Sequence, residues 1–512
     1  MVFAATALTL SACTGVPAES VSTPAPIAWQ DCGPGLECAT VEVPQEYAEP
    51  GGARIPLAVK RHRATDAGQR IGSLFINSGG PGVPTTDTVE AIASGGDASP
   101  FSPALVARFD IIGIDPRGVG DSSPVRCRTD AQRAEATAAD LDPTLPGGKP
   151  LPRLLDDADT YTAGCLSHQS PEFLASLSTD NVARDMDLIR AALGEDKISF
   201  YGMSYGTVVG PMYATLFPNR VRQMVIDAPV HTGLWQTDPL GLLDDVSRSN
   251  EQTLDAWFAA CRGEGPQVCP FGNGNPEEAF DTLITRLEGQ PLQVPPVEGL
   301  IPGGKVDGAV ALEAVRTAAG TQQAWPALTA GLLAAQQGDG KGLLFLVSKV
   351  TVAPFGGPYA VFQESHIAVR CADWVVPADV AVHTRAAATI AGRDKRLAYR
   401  AGYTALDCAR WPAPNKDRFT APLTGSGAPP VLIVGGRLDN VSPYHWAEAM
   451  TGTMPNSVLL TREGVGHTSY RRSGPCVDNA VDATLTTGAL PAAGTVCDAP
   501  PATTKPPAKA GK

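Results

Sequence analysis

Short apolar, β-branched runs alternate with amphipathic stretches along most of the chain, and most runs end at Gly, Asp or another turn-forming residue. Such runs are typical of parallel strands that are buried on both faces. The pattern predicts strands at Ile55–Val59, Ser73–Asn77, Asp110–Ile114, Ile198–Tyr201, Gln223–Ile226, Val431–Val434 and Val458–Leu460. The clearest helix is predicted at 181–193. Strands that alternate with helices indicate an α/β protein with a mainly parallel sheet.

The middle of the chain, residues 234–420, interrupts this alternation. Apolar positions such as Trp235 and Leu332 recur there at helical spacing, and signals for parallel strands are few. The sequence therefore predicts a core in two parts, residues 29–233 and 421–498, with a large, mostly helical lid inserted between them.

The two ends of the chain differ from its body. Residues 1–13 carry no charge and end in Leu10-Ser11-Ala12-Cys13, which resembles the box of a bacterial lipoprotein signal. In that interpretation Cys13 is lipidated and anchors the protein to the outer face of the cell membrane; the alternative is a cleaved signal without lipid. Residues 14–28 are small, polar and Pro-rich, which predicts a flexible tether, and residues 499–512 predict a disordered tail.

The net charge of the chain bears on which kinds of partner it can bind. The chain has 53 acidic and 40 basic residues and a formal net charge of −13, which argues against nucleic-acid binding because that requires Lys and Arg patches. No apolar run approaches the length of a membrane-spanning helix. Membrane contact is expected only through a lipid at Cys13.

Cysteine usage indicates export. Of 11 cysteines, ten remain after Cys13 is set aside, an even set. Close neighbours such as Cys32 and Cys38 favour local pairing in an oxidising compartment, although spacing alone leaves the pairing open, including inert buried thiols. Neither C-x-x-C nor H-E-x-x-H occurs, so we expect no metal site and no cofactor.

One segment has the pattern of a catalytic nucleophile. Gly202-Met203-Ser204-Tyr205-Gly206 is a G-x-S-x-G motif between a predicted apolar strand and a helical stretch. In α/β-hydrolases the nucleophilic serine lies on such a strand-to-helix turn, where the flanking glycines allow a tight bend. We therefore predict Ser204 as the nucleophile; the alternative is a serine in an ordinary βα turn.

A serine nucleophile needs a histidine base and an orienting carboxylate, and this fold requires the chain order Ser, acid, His. His467 follows the last predicted strand in the segment Gly464-Val465-Gly466-His467, and we predict it as the base. Asp439 follows the strand Val431–Val434 and a Gly-Gly turn, which makes it the predicted acid. The alternatives are a solvated loop histidine and a capping aspartate.

The developing oxyanion needs two N–H donors, one from the residue after the serine and one from the loop after an early strand. Tyr205 supplies the first. The loop Asn77-Ser78-Gly79-Gly80-Pro81-Gly82 supplies the second, and Gly80 is the candidate because Pro81 has no N–H. The alternative is that these glycines only form a flexible turn.

Several motifs occur in a fixed order along the chain. They are Cys38-Ala39-Thr40-Val41-Glu42-Val43-Pro44, Gly79-Gly80-Pro81-Gly82, Asp115-Pro116-Arg117-Gly118-Val119-Gly120, Ala183-Arg184-Asp185, Gly202-Met203-Ser204-Tyr205-Gly206-Thr207, Phe217-Pro218-Asn219-Arg220-Val221, Arg370-Cys371-Ala372-Asp373 and Gly436-Arg437-Leu438-Asp439. From about Trp29 to Cys497 the chain thereby resembles the secreted actinobacterial tripeptidyl aminopeptidases, which are related to prolyl aminopeptidases within the α/β-hydrolase superfamily.

The resemblance implies an exo-acting serine peptidase that removes short peptides from free N-termini. Its partners would be peptides or proteins with a free amine. The resemblance also implies five disulfides between sequence neighbours: Cys32–Cys38, Cys127–Cys165, Cys261–Cys269, Cys371–Cys408 and Cys476–Cys497.

The chain departs from the family after Gly82, where Val83-Pro84-Thr85 replaces small residues and is expected to narrow the substrate preference.

Recognition of a free amine requires a fixed, partly desolvated negative charge. Asp373 is the candidate for this role, and Glu364 is the second choice. Two other functions remain open: a carboxylesterase with the same triad, and a catalytically idle surface lipoprotein that binds peptides.

Overall fold

A computed structural model of the chain describes residues 25–96, 99–129, 131–132, 151–297, 303–351, 362–398, 402–499 and 501–506. The predicted signal with Cys13, most of the tether and the end of the tail lie outside these described residues.

A ten-stranded sheet organises the described part of the chain. Its strands are β1 Gln30–Gly33, β2 Leu36–Pro44, β3 Arg54–His62, β4 Gly72–Asn77, β5 Phe109–Ile114, β6 Ile198–Met203, β7 Val221–Asp227, β10 Val431–Leu438, β11 Ser457–Val465 and β12 Val496–Cys497, and β8 Leu292–Val294 and β9 Gly304–Val306 form a separate antiparallel pair. The order in the large sheet is β1-β2-β3-β5-β4-β6-β7-β10-β11-β12. Pairing is antiparallel from β1 to β5 and parallel from there to β12. Each of the seven predicted strands lies within an observed one, and the mainly parallel α/β fold is confirmed.

Helices cover both faces of the sheet and fill the segment between β7 and β10. They are α1 Thr85–Ile92, α2 Pro103–Arg108, α3 Leu151–His168, α4 Pro171–Ala175, α5 Thr179–Ala192, α6 Gly206–Leu216, α7 Thr232–Thr237, α8 Pro239–Glu264, α9 Pro276–Gly289, α10 Gly308–Ala319, α11 Trp325–Gln336, α12 Lys341–Thr351, α13 Phe362–Asp373, α14 Val380–Arg393, α15 Leu406–Ala409, α16 Tyr444–Thr453 and α17 Pro475–Thr487. None of these described helices has the length and apolar character needed to cross a membrane.

The segment between β7 and β10 has a hydrophobic core of its own. Its members come mainly from α8 to α12 and include Trp257, Phe258, Leu312 and Leu328, all buried. Two further clusters lie on the two faces of the large sheet. Other residues of the same segment, among them Trp235, Ile367 and Trp411, belong to one of the clusters on the sheet, so the segment is also packed against the sheet's core.

Helix α5 begins two residues before its predicted start. The residue before the helix, Ser178, makes no capping bond with its side chain. Instead the first N–H of the helix, from Thr179, donates to the Asp373 carboxylate 2.9 Å away. A carboxylate at a helix N-terminus satisfies an otherwise unpaired N–H and interacts favourably with the helix dipole. The cap comes from α13, so local sequence does not show it.

Five disulfides link the ten cysteines that remain without Cys13. The observed pairs are those that the family resemblance implies: Cys32–Cys38, Cys127–Cys165, Cys261–Cys269, Cys371–Cys408 and Cys476–Cys497. The fourth of these ties α13 to α15, and the fifth ties α17 to the edge strand β12.

A fully buried ion pair joins the Asp-Pro-Arg-Gly motif to α5. Arg117 Nη2 lies 2.6 Å from the Asp185 carboxylate, and neither side chain has more than 2% of its surface exposed. The remaining guanidinium donors bond to the main-chain oxygens of Pro44, Gln45 and Ser176. One buried cation therefore holds β2, α5 and the loop after β5 together.

Arg117→Met is expected to destabilise the protein by about 3–5 kcal/mol, because it leaves the buried Asp185 carboxylate without its charged partner, with only the hydroxyl of Tyr47 as a hydrogen-bond donor from a side chain. The double variant Arg117→Met/Asp185→Leu removes both charges and should recover much of the loss. The midpoint of denaturant unfolding, followed by tryptophan fluorescence, measures both effects. A single variant as stable as wild type would contradict the role given to this ion pair.

Candidate active site

Ser204 lies on a strained turn between β6 and α6. Its φ is 54°, in the left-handed region that a residue with a side chain rarely adopts. Its N–H donates to the main-chain oxygen of Asp227, 3.0 Å away. The flanking glycines are required sterically: a Cβ at Gly202 would lie 2.5 Å from the oxygen of Gly206, and one at Gly206 would lie 2.7 Å from the oxygen of Asn77. This is the turn geometry that a nucleophilic serine occupies in α/β-hydrolases.

Asp439 and His467 form a hydrogen-bonded pair at the same edge of the sheet. His467 Nδ1 lies 3.0 and 2.9 Å from the two carboxylate oxygens of Asp439. The carboxylate is fully buried and also accepts the N–H groups of Val441 and Ser442, each at 2.8 Å. The imidazole is one-quarter exposed. A buried, firmly held carboxylate fixes the tautomer and orientation of the histidine that it contacts.

The loop after β4 lies against the nucleophile. A Cβ at Gly79 would lie 2.9 Å from Ser204 Cβ and 3.4 Å from the nitrogen of Tyr205. The N–H of Gly79 donates to Asn77 Oδ1 at 3.0 Å. Within the described part of the chain, no acceptor is found for the N–H of Gly80 or of Tyr205. Both N–H groups are therefore unpaired donors among the described residues, and their binding of an oxyanion stays a prediction.

Helix α13 supports this loop from the other side. His366 Nδ1 lies 2.9 Å from the main-chain oxygen of Pro81, and a Cβ at Gly82 would lie 2.9 Å from the nitrogen of His366. Val83, one of the residues that depart from the family pattern, packs beside Gly80, whose added Cβ would lie 3.2 Å from Val83 Cγ2. The loop 79–83 is thus packed between Ser204 and α13.

Comparison with known proteins agrees with this geometry. Residues 73–264, which include Ser204, match the family model described as alpha/beta hydrolase fold, and residues 396–497, which include Asp439 and His467, match the one described as TAP-like protein. The chain is 31% identical over 94% of its length to the tripeptidyl aminopeptidase of Streptomyces coelicolor, of which it covers 87%. The chain belongs to the tripeptidyl aminopeptidase family of α/β-hydrolases.

Two further relatives differ in their names. Serine protease Hip1 of Mycobacterium tuberculosis is 29% identical over 92% of the chain, with 91% of that protein covered. Carboxylesterase B of the same organism is 32% identical over 89% of the chain, with 85% of it covered. The family thus includes proteins named for peptide and for ester hydrolysis, and this chain is a serine hydrolase of that fold.

In this hydrolase Asp373 is buried at the end of α13. Its carboxylate accepts hydrogen bonds from the Thr179 N–H at 2.9 Å, the Thr179 hydroxyl at 2.5 Å and Trp235 Nε1 at 2.9 Å. The Thr179 hydroxyl also lies 2.7 Å from the hydroxyl of Tyr205, the residue after the nucleophile. Burial raises the pKa of Tyr205, so its phenol stays neutral. These contacts favour a structural role for Asp373, and its contact with a substrate amine stays a prediction.

Glu364 occupies a similar position near the start of α13. Its carboxylate accepts the N–H of Cys127 at 2.5 Å, and its main-chain oxygen accepts the hydroxyl of Tyr161 at 3.3 Å. The residue is 1% exposed. Its role at a substrate amine likewise stays a prediction. Among the described residues, no group of three or more His, Cys, Asp or Glu could hold a metal ion.

The sequence interpretation did not single out three residues at this site. Asp227 ends β7 and bonds to both the nucleophile turn and the loop after His467. A polar residue directly after the apolar run Met224–Ile226 is a signal that could have identified it. Arg462 in β11 and His366 in α13 have no comparable signal, because an arginine in a strand and a histidine in a helix are usually solvated.

Protonation of Asp373 is expected to affect stability. Burial raises the pKa of Asp373 to about 6, although the bonds from Thr179 and Trp235 oppose the shift. The folded state therefore binds this proton more tightly than the unfolded chain, whose Asp has its ordinary value of 3.8. The resulting stabilisation is complete below the ordinary value and is lost as the pH rises to about 6, a change of up to about 3 kcal/mol.

Asp373→Asn removes this titration. Wild type should therefore lose stability relative to the variant between about pH 4 and pH 6, and the difference should be constant above that range. Unfolding midpoints of both proteins, measured from about pH 4 to pH 8, provide the comparison. Parallel pH profiles for the two proteins would show that the Asp373 carboxyl is not perturbed in this way.

Proposed function

We propose that Ser204, His467 and Asp439 are the catalytic triad of a serine exopeptidase. The observation that carries the proposal is the Asp439–His467 pair, at 2.9 Å, on the sheet edge where Ser204 adopts its left-handed turn. In the reaction, Ser204 Oγ bonds to the scissile carbonyl carbon while His467 accepts the hydroxyl proton. The tetrahedral adduct then expels the amine, which takes that proton from His467. Water, deprotonated by His467, releases the acyl group in the same way.

Tyr205 and Gly80 supply the oxyanion donors in this proposal. Tyr205 directly follows Ser204 and stands before α6, whose N-terminus favours negative charge. Gly80 follows Gly79, whose added Cβ would lie 2.9 Å from Ser204 Cβ. Donors that are already in place need no reorganisation when the charge develops, and such stabilisation makes the greatest single contribution to catalysis in many enzymes. The loop 79–83 is held on one side by the nucleophile turn and on the other by α13.

We further propose that the acyl group is a short peptide, a tripeptide in the first instance, released from a free N-terminus. Support comes from the name and coverage of the tripeptidyl aminopeptidase relative. The insertion between β7 and β10 contacts the oxyanion loop and Tyr205, so it is placed to limit how much of a substrate can enter. We propose Asp373, with Glu364 second, as the charge sensed by the substrate amine.

The proposed location is outside the cytoplasm, with a lipid anchor at Cys13. Five disulfides are typical of proteins that fold in an oxidising compartment, and they link every cysteine except Cys13. Cys13, which follows Leu10-Ser11-Ala12 and lies outside the described residues, is the residue that a lipoprotein box would modify.

Asp439→Asn should lower kcat about 10³–10⁴-fold, because an amide cannot hold the required tautomer of His467. Covalent labelling by a fluorophosphonate should slow by a similar factor and should vanish in Ser204→Ala. Asp110→Asn, a buried carboxylate at the opposite end of the parallel strands, is the matched control and should keep both rates. Unchanged labelling of Asp439→Asn would remove Asp439 from the triad.

Product analysis tests the substrate class. One peptide is offered with a free and with an acetylated N-terminus to wild type, Ser204→Ala and Asp373→Asn, and the products are identified by mass. Wild type should release an N-terminal tripeptide from the free form only, and Ser204→Ala should release nothing. If Asp373 senses the amine, Asp373→Asn should lose the preference for the free form while it keeps ester turnover.

Other results would support other functions. Equal cleavage of both peptides would indicate an endopeptidase. Ester turnover without peptide cleavage would indicate a carboxylesterase, a function that one relative at 32% identity carries in its name. Absence of fluorophosphonate labelling would indicate a catalytically idle peptide-binding protein.

A further inference from the structure

The loop that carries His467 has a conformation that must be imposed from outside. We define the histidine loop as residues 463–470, which follow Arg462 and begin with the last three residues of β11. Thr468, directly after the histidine, has a φ of 63°, and Arg471 just beyond the loop has a φ of 62°. For a β-branched residue this is a strained backbone state, with a cost on the order of 1–3 kcal/mol. Contacts with the rest of the protein must offset it.

Arg462 binds the part of the loop that precedes the histidine. Its side chain is buried, and Nη1 donates to the main-chain oxygens of Glu463 at 3.3 Å and Gly464 at 2.7 Å. Nη2 donates to the oxygen of Gly466, and Nε to the hydroxyl of Ser469 at 3.3 Å. Burial lowers the pKa of Arg462, an effect that the carboxylates of Asp439 and Asp227 oppose. The guanidinium thus holds the main chain of the loop on the side before His467.

Asp227 binds the part of the loop that follows the histidine. One carboxylate oxygen accepts the N–H groups of Ser469 and Tyr470, each at 2.9 Å, and the hydroxyl of Tyr201 at 3.0 Å. The main-chain oxygen of the same residue accepts the N–H of Ser204 at 3.0 Å. Asp227 is fully buried. It is therefore the direct link between the nucleophile turn and the histidine loop.

The guanidinium of Arg462 occupies space that is free because residue 436 is a glycine. Gly436 of β10 is paired with Arg462 of β11, and a Cβ at Gly436 would lie 2.2 Å from Arg462 Nη2. The backbone of Gly436 is outside the left-handed region, so alanine is conformationally allowed there. A methyl group at this position would displace the guanidinium and leave every loop residue unchanged.

We propose that Arg462 and Asp227 are positioning residues that hold the histidine loop on both sides of His467, Arg462 through the carbonyls before it and Asp227 through the amides after it. Together they set the imidazole against Asp439 and toward Ser204. The inference rests on the proposed triad. It predicts that loss of the hydrogen bonds from either Arg462 or Asp227 slows the chemical step without weakening substrate binding.

The test uses Arg462→Lys, Gly436→Ala and Asp227→Asn in the full chain. Each should lower kcat and the rate of fluorophosphonate labelling by about 10- to 100-fold, because a small misplacement of a catalytic group has effects of that size. KM should change less than about threefold. The low-field proton resonance of the His467 Nδ1–H···Asp439 bond should shift or disappear. Arg117→Lys, which replaces a different buried guanidinium whose hydrogen bonds go to Asp185, Pro44, Gln45 and Ser176, is the matched control and should keep kcat and the resonance.

The possible results of this test distinguish failure of the inference from failure of the proposed triad. Wild-type kcat and an unchanged resonance in Arg462→Lys and Gly436→Ala would overturn the inference. If Asp227→Asn fails to fold, Gly436→Ala still decides the question, since it retains both charged residues. An equal loss of kcat in Arg117→Lys would reduce the effect to general destabilisation and would also overturn it. A wild type that is not labelled at all would instead overturn the proposed triad, and this inference with it.

Discussion

Parallel pairing of β6, β7, β10 and β11 brings the proposed reactive groups of this hydrolase to one edge of the sheet. Because all four strands run in the same direction, their carboxyl ends lie side by side, and each is followed by a residue of the site. Ser204 follows β6, Asp227 ends β7, Asp439 follows β10 and His467 follows β11. Residues far apart in the sequence therefore lie at the same edge, and the hydrogen bonds of the sheet hold their strands in register.

At that edge, buried charges are satisfied by main-chain groups more than by one another. Asp439 accepts two backbone N–H groups besides His467, Asp227 accepts two, and Arg462 donates to three backbone carbonyls. A buried ion without such partners would be strongly destabilising. Each of these charged side chains therefore requires a particular conformation of the loop around it. In turn, the hydrogen bonds of the charged side chains hold the loop backbone in that conformation.

The inserted helices are coupled to the site by the same kind of contact. Asp373 at the end of α13 caps α5 and reaches the Tyr205 hydroxyl through Thr179, while His366 in the same helix bonds to the oxyanion loop. The disulfide Cys371–Cys408 ties α13 to α15. A change in the insertion can thus alter the surroundings of Tyr205 and of the loop 79–83, the proposed oxyanion donors, without touching the proposed triad. This arrangement agrees with a family in which proteins named for peptide and ester hydrolysis share one core.

The sequence by itself determined the strands, the order of Ser204, Asp439 and His467, and the glycines around the nucleophile, because these depend on local patterns: apolar runs, strand-end turns and a fixed motif. Resemblance to a family determined the disulfide pairs, which spacing left open. Only the tertiary structure decided the environment of each charge. Asp373 looks like any acidic residue of a helix in the sequence, yet it caps a helix that begins almost two hundred residues earlier. Arg462 looks like a solvated strand residue, yet it is buried against Gly436. Burial and hydrogen bonding depend on residues that are distant in the chain, and no local pattern contains that information.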